Sequence, residues 1–151
     1  MCFLCSGTSQ CCLQRGGVFS REVTIIDTPG LSETFDPAVR SEIFRCINTS
    51  EPVPHAVLLV FKVFTEAGGG IVRQVEEIFG KNIWSRTFVL FTQEDQAEPE
   101  IQNQLQEAGP ELMGVLRSSR YQVLNIDPEY SDRQQVWDLL HAVGKMVSDN
   151  I

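Results

Sequence analysis

Short apolar runs alternating with stretches of helical periodicity predict an α/β fold. In it, a mostly parallel sheet is covered by helices on both faces. Four runs are strand-length and largely apolar: Val23 to Asp27, Ala56 to Phe61, Thr87 to Phe91 and Tyr121 to Asn125. Near-continuous rather than alternating apolarity marks strands buried on both faces. The stretches between them repeat apolar residues at three- and four-residue spacing, which reads as helix. Strand-helix alternation of this kind produces parallel sheets.

The elements follow in order. Arg15-Gly16-Gly17 suggests a hairpin turn ahead of the first apolar run. After Asp27, residues 38–48 carry Val39, Ile43, Cys46 and Ile47 at helical spacing, and Pro52 and Pro54 end that helix. The second run follows. Gly68-Gly69-Gly70 then reads as a flexible lead into a helix with Val72, Val75, Ile78 and Phe79 on one stripe, closed by Gly80. The third run precedes a helical stretch from Pro99 to Arg117, interrupted at Gly109-Pro110. The fourth precedes a last helix that Ser131 or Asp132 can cap, with Val136, Leu139, Leu140, Val143, Met146 and Val147 as its stripe. Right-handed crossovers place the C-terminal ends of parallel strands on one rim, where ligands bind. Asp27, Lys62, Thr92 and Asn125 are therefore expected around one crevice.

Composition bounds the function. The 151 residues fit one domain, and 42% hydrophobic with 21% charged residues describes an ordinary soluble protein. A formal net charge of −8 argues against a general nucleic-acid surface but leaves room for a nucleotide pocket. No apolar run spans a bilayer, and Met1 to Cys5 lacks the basic and apolar regions of a signal peptide. No membrane anchor is expected. The five cysteines are Cys2, Cys5, Cys11, Cys12 and Cys46. A zinc reading of the N-terminal four suffers from the adjacency of Cys11 and Cys12 and the lack of a nearby histidine. Free thiols in a reducing cytosol are expected, hence a cytoplasmic protein.

The chemistry concentrates at strand ends. A carboxylate such as Asp27 can hold Mg2+, usually through water. Thr28-Pro29-Gly30 then turns the chain, and Gly30 can bring a bare backbone N–H against a γ-phosphate. Asp-Thr-Pro-Gly is thus a phosphate-sensing pattern, with an ordinary strand-to-helix turn as its structural alternative. Thr92-Gln93-Glu94-Asp95 follows the third strand. An ionised Asp95 can accept from the N1–H and N2–H₂ edge of guanine, which adenine does not offer. Gln93 stands where a lysine or arginine normally stacks on the base. Asn125 can assist from the next loop, or serve turn chemistry before Asp127-Pro128. Thr8, 19 residues before Asp27, is a candidate magnesium ligand. His55 can face the crevice or anchor a turn, and His141 reads as structural. No G-x-x-x-x-G-K-[ST] phosphate loop is spelled anywhere before Asp27.

Together these residues resemble the GIMAP proteins, the immune-associated nucleotide-binding family of AIG-type GTPases. The carrying segments are Arg21 to Leu31 and Arg45-Cys46-Ile47, then Pro54-His55-Ala56-Val57-Leu58-Leu59-Val60. Ile78-Phe79-Gly80, Val89-Leu90-Phe91-Thr92 and Arg120-Tyr121 continue the match in order, over about residues 6 to 148. The resemblance implies a P-loop NTPase-like GTPase fold as a single partial domain. It implies GTP or GDP with Mg2+ as ligands, and dimers with related G domains as partners. It likens Thr8 to the switch I threonine, Asp27 and Gly30 to the magnesium and γ-phosphate positions, and Thr92 with Asp95 to the guanine-reading pair. Asn125 becomes the final base contact, and His55 part of the family box. Two departures accompany it. The first strand, P-loop and first helix have no counterpart, and Ala67 to Gly70 replace a stretch that is usually acidic and helical. The expected consequences are weak or absent nucleotide binding, no hydrolysis, and a marginally stable sheet unless the strands flanking the missing one close up or another segment substitutes for it. The alternative expectation is a non-enzymatic module that pairs with full-length relatives.

Overall fold

The computed structural model describes residues 2–4, 10–31, 36–49, 54–63, 69–94, 109–129 and 131–150. The strands are β1 (Cys2–Leu4), β2 (Cys12–Val18), β3 (Arg21–Thr28), β4 (Val57–Lys62), β5 (Thr87–Gln93) and β6 (Tyr121–Asn125). The helices are α1 (Pro37–Thr49), α2 (Gly69–Phe79), α3 (Pro110–Arg117) and α4 (Arg133–Asp149), with a 3₁₀ turn at Lys81–Arg86 before β5. They form one six-stranded sheet in the order β2-β3-β1-β4-β5-β6. Every pairing is parallel except the β2–β3 hairpin.

The sheet centre differs from the sequence expectation. The slot between β3 and β4 is filled by three residues of the N-terminus itself. Cys2, Phe3 and Leu4 pair with Ile26, Asp27 and Thr28 on one side and with Val57, Leu58 and Leu59 on the other. A parallel ladder is slanted and evenly spaced, so even a three-residue strand satisfies backbone groups on both neighbours. The sequence hides this strand because it is too short to show periodicity.

The hairpin turn also lies elsewhere. Gly16 and Gly17 sit inside β2, opposite Val23 and Glu22, and the chain reverses at Phe19 and Ser20. Both turn residues have positive φ, 48° and 62°. Such a two-residue turn matches the strand twist. Turning there gives seven paired positions, and the edge strand tolerates two glycines.

The core has two sides. Ile43 of α1, Val72 and Val75 of α2, and Leu112 and Val115 of α3 pack with Val57, Leu59, Val89 and Phe91. The alternate residues of the same strands, Leu58, Phe88 and Leu90, face Leu139, Val143 and Met146 of α4. This period-2 division explains why β4 and β5 read as continuous apolar runs. Asp132 caps α4, its carboxylate accepting from Gln135 N–H at 3.0 Å. At the sheet's lower edge, Arg120 donates to the carbonyls of Trp84 and Thr87, tying the start of β6 to the 3₁₀ turn. Among the described residues, no helix is long and apolar enough to cross a membrane.

Phe91 is fully buried, with its ring 6.0 Å from Phe61 and 6.4 Å from Tyr121. Phe91→Ala should cost about 3–5 kcal/mol by leaving a cavity in the central sheet. Urea unfolding of the variant beside the wild type measures it, and a loss below about 1 kcal/mol contradicts this packing.

Candidate functional site

Parallel strands deliver their C-terminal ends to one rim. Asp27 and Thr28 end β3, Lys62 ends β4, Thr92 and Gln93 end β5, and Asn125 ends β6. Lys62 is level with Thr92, and Gln93 with Asn125. Thr28 is level with Leu59 through Leu4, three positions before Lys62. Three strand spacings separate β3 from β5, about 14 Å laterally, and a fourth reaches β6. The rim therefore brings Asp27, Gly30, Thr92 and Asn125 to one edge of the sheet. Thr8 and Asp95 lie outside the described residues.

His55 does not join them. It precedes β4 while Lys62 ends it, so the length of the strand, about 20 Å, separates it from the rim. His55 instead lines a cavity of about 180 Å³ with Ile47, Pro54, Phe79 and Arg86 at the opposite edge. The proline before it and the strand after it fix this placement.

Orphaned polar atoms mark the rim. Among the described residues, the buried Asp27 Oδ1, Thr28 Oγ1 and Gln93 Oε1 have no hydrogen-bond partner. Buried acceptors of this kind are uncommon and costly, so each points to an absent partner. A carboxylate oxygen left so suits a hard cation, and Asp27 fits magnesium on this ground. Thr28 is wholly buried at the end of β3.

Asn125 is held firmly. Its backbone N–H donates to Gln135 Oε1 at 3.0 Å, and its carbonyl accepts from Gln135 Nε2 at 2.8 Å. Its own Oδ1 accepts from Asp127 N–H at 3.0 Å, the turn chemistry weighed from the sequence. Gln135 is the residue that sequence reasoning missed. Asp132-x-x-Gln135 reads as a helix-capping pair, yet the glutamine reaches away to β6 rather than back to its cap.

A second cluster sits beside β3. Cys11 and Cys46 are joined by a disulfide across 35 positions, which corrects the expectation of free thiols for these two. Cys12 is free and exposed. The fold brings the segment before β2 over α1, a proximity that spacing alone cannot show. Cys11, Glu42 and Cys46 also offer ligand atoms within 4.8 Å of one another. Glu42 accepts from Cys11 N–H at 3.1 Å and from Arg45 at 2.7 and 3.0 Å. The Arg45 guanidinium first, then the Cys11 N–H, hold the Glu42 carboxyl down at about 2, and Glu42 in turn raises Arg45. Burial lowers Arg120.

Comparison with known proteins places this arrangement. A model of the AIG1 family matches residues 5–151. The chain is 34% identical to immune-associated nucleotide-binding protein 13 of Arabidopsis thaliana over 141 residues, 85% of this chain and 41% of that protein. It is 28% identical to immune-associated nucleotide-binding protein 7 of the same plant, over 95% of this chain and 50% of that protein. The chain thus spans half or less of these relatives' length. Among solved structures, Toc33 from Arabidopsis thaliana in complex with GDP and Mg2+ superposes with a TM-score of 0.68 at 12% identity. That likeness covers 98% of this chain and 84% of that one. A structure from work on the chloroplast translocon components atToc33 and psToc159, for whose GTPase activity dimerization is important, gives 0.66 at 12% identity. It covers 97% of this chain and 82% of the other. These likenesses show a shared GTPase-domain fold.

Two outcomes test this geometry. Gln135→Ala removes the two hydrogen bonds that Gln135 makes to the Asn125 backbone and should cost about 1–3 kcal/mol in urea unfolding. Glu42 contributes stability because its folded-state pKa is depressed. That contribution is whole above about 4.5 and is lost as pH falls toward about 2. Glu42→Gln should flatten the acid limb of the pH–stability curve across this window, while an unchanged limb removes Glu42 as its source.

Proposed function

The chain belongs to the AIG1 family, and on that premise we propose a G domain that retains the metal and base-reading sides of its nucleotide site without the phosphate cradle. One observation carries the reading. In P-loop folds the loop G-x-x-x-x-G-K-[ST] links the central strand to a helix. Here β1 occupies the central slot, and the residues between it and β2 are Cys5-Ser6-Gly7-Thr8-Ser9-Gln10-Cys11. The motif alone is longer than this connection, and no lysine or arginine stands in it to meet phosphate charge.

Asp27, with its orphaned buried oxygen, fits Mg2+, and Thr8 is its second candidate ligand. Gly30 offers a backbone N–H, as a γ-phosphate contact requires. Thr92 and Asp95 would read guanine, with Asn125 beside them and Gln93 in place of the stacking cation. The residues present do not fit a triphosphate. Guanine nucleotide binding is accordingly weak or absent, and the chain does not hydrolyse GTP. The same missing cradle supports a second reading, a non-enzymatic module that pairs with related G domains through the surface around Gly30. A cytoplasmic setting and an immune role, the latter suggested by the relatives' names, belong to this proposal.

Titration of the chain with GTP and Mg2+ should show no binding at micromolar nucleotide. Saturation in that range, or steady phosphate release, would refute the reading. If the chain is a pairing module, sedimentation should show it joining a relative's complete G domain, and sedimentation of both species apart removes that alternative.

A further inference from the structure

The Cys11–Cys46 bond joins an edge strand to the helix that follows the Asp27–Gly30 turn. β2 pairs with β3 alone, so its start is held by little else. The Cα atoms of the two cysteines are 6.4 Å apart, within the span a disulfide bridges. Ile26 completes a small apolar cluster with them. The pairing is selective: Cys12, next in the chain, is free and exposed.

The surroundings suit a bond that opens as well as closes. Cys46 is 8% exposed whereas Cys11 is half-buried, so Cys11 is the sulfur an incoming thiol meets. Arg45 Nη2 lies 3.8 Å from Cys46 Sγ, a cation placed beside the sulfur that must leave. A nearby arginine favours thiolate, and a stabilised leaving thiolate departs faster. Glu42 Oε1 lies 3.8 Å from the same sulfur, but its charge is engaged by the Arg45 fork. The Glu42 carboxylate also accepts from Cys11 N–H at 3.1 Å, a single contact beside the bond.

We propose that Cys11 and Cys46 form a redox-active dithiol site, closed and opened by exchange with a small thiol–disulfide couple of the glutathione class, that latches the start of β2 to α1. In closing, the Cys11 thiolate attacks one sulfur of the small disulfide, breaking its S–S bond and releasing one small thiol. The Cys46 thiolate then attacks the Cys11 sulfur of the mixed disulfide and releases the second. Two protein thiols and one small disulfide become one protein disulfide and two small thiols. The departing thiolates take up the two protons. Opening runs the steps in reverse, with Cys46 leaving beside Arg45. The proposal is independent of any nucleotide bound at the rim.

The test uses the whole chain carrying Cys12→Ala, which removes the free exposed thiol and leaves the pair intact. The protein is equilibrated in glutathione buffers from fully reduced to fully oxidised, quenched, alkylated and mapped by mass spectrometry. The linked Cys11–Cys46 peptide should rise in one two-electron transition. Adding Cys46→Ser should trap a glutathione adduct on Cys11. Reduction of the bond should speed amide exchange over the first residues of β2 by about tenfold or more, as local opening predicts. Three results overturn the proposal: both cysteines remain alkylatable across the series, the bond survives fully reduced glutathione, or exchange in β2 is unchanged by reduction. A reduced chain that retains one equivalent of zinc and resists oxidation also overturns it, and makes the cluster a metal site. The titration leaves the pair unaltered, so it decides whether or not the serine variant folds.

Discussion

Everything in this sheet depends on the two ladders made by β1. Three residues join the β2–β3 hairpin to the β4–β5–β6 sheet, and among the described residues no other strand pairing links the two parts. Backbone pairing carries this junction: each ladder satisfies groups on β3 and on β4 that would otherwise be buried without partners. The rim inherits its layout from that junction. Asp27 stands on one side of β1 and Thr92 with Asn125 on the other, so these rim residues share a frame through the register that β1 holds.

The same brevity shapes the chemistry. A P-loop needs a central strand that runs straight into a phosphate nest and then a helix. Here the chain leaves β1 and reaches β2 within a few residues. Among the described residues, Asp27 Oδ1 and Gln93 Oε1 remain at this rim without hydrogen-bond partners. Asn125 is fixed by Gln135 and by its own turn, while near β3 the charges of Glu42 and Arg45 pair with each other.

The sequence made the architecture legible wherever burial imposes a period. β4, β5 and β6 stand within two residues of their apolar runs, and α4 starts where Asp132 caps it. Asp27, Thr92 and Asn125 were expected on one rim because parallel topology leaves them no other place. What remained hidden has no local signature. β1 is too short for periodicity, and Phe19-Ser20 turn without glycine because pairing length outweighs turn preference. The Cys11–Cys46 contact spans the hairpin and α1, and Gln135 acts on a strand instead of its own helix. Of the two places open to His55, the structure gives the one away from the rim, ahead of β4. A residue ahead of a strand and a residue behind it lie at opposite edges, and the resemblance supplied a motif without a direction.

The two core faces are unequally covered. α1, α2 and α3 cover one, whereas among the described residues α4 alone packs on the other, through Leu139, Val143 and Met146. Arg21 of β3 reaches the same helix, donating to the Leu140 carbonyl at 3.4 Å. Cooperativity is thereby concentrated in the last element of the chain. Fraying of α4 would wet Leu58, Phe88 and Leu90 together and loosen the hairpin in the same event. The final helix therefore acts as the clasp that makes hairpin and sheet melt as a unit.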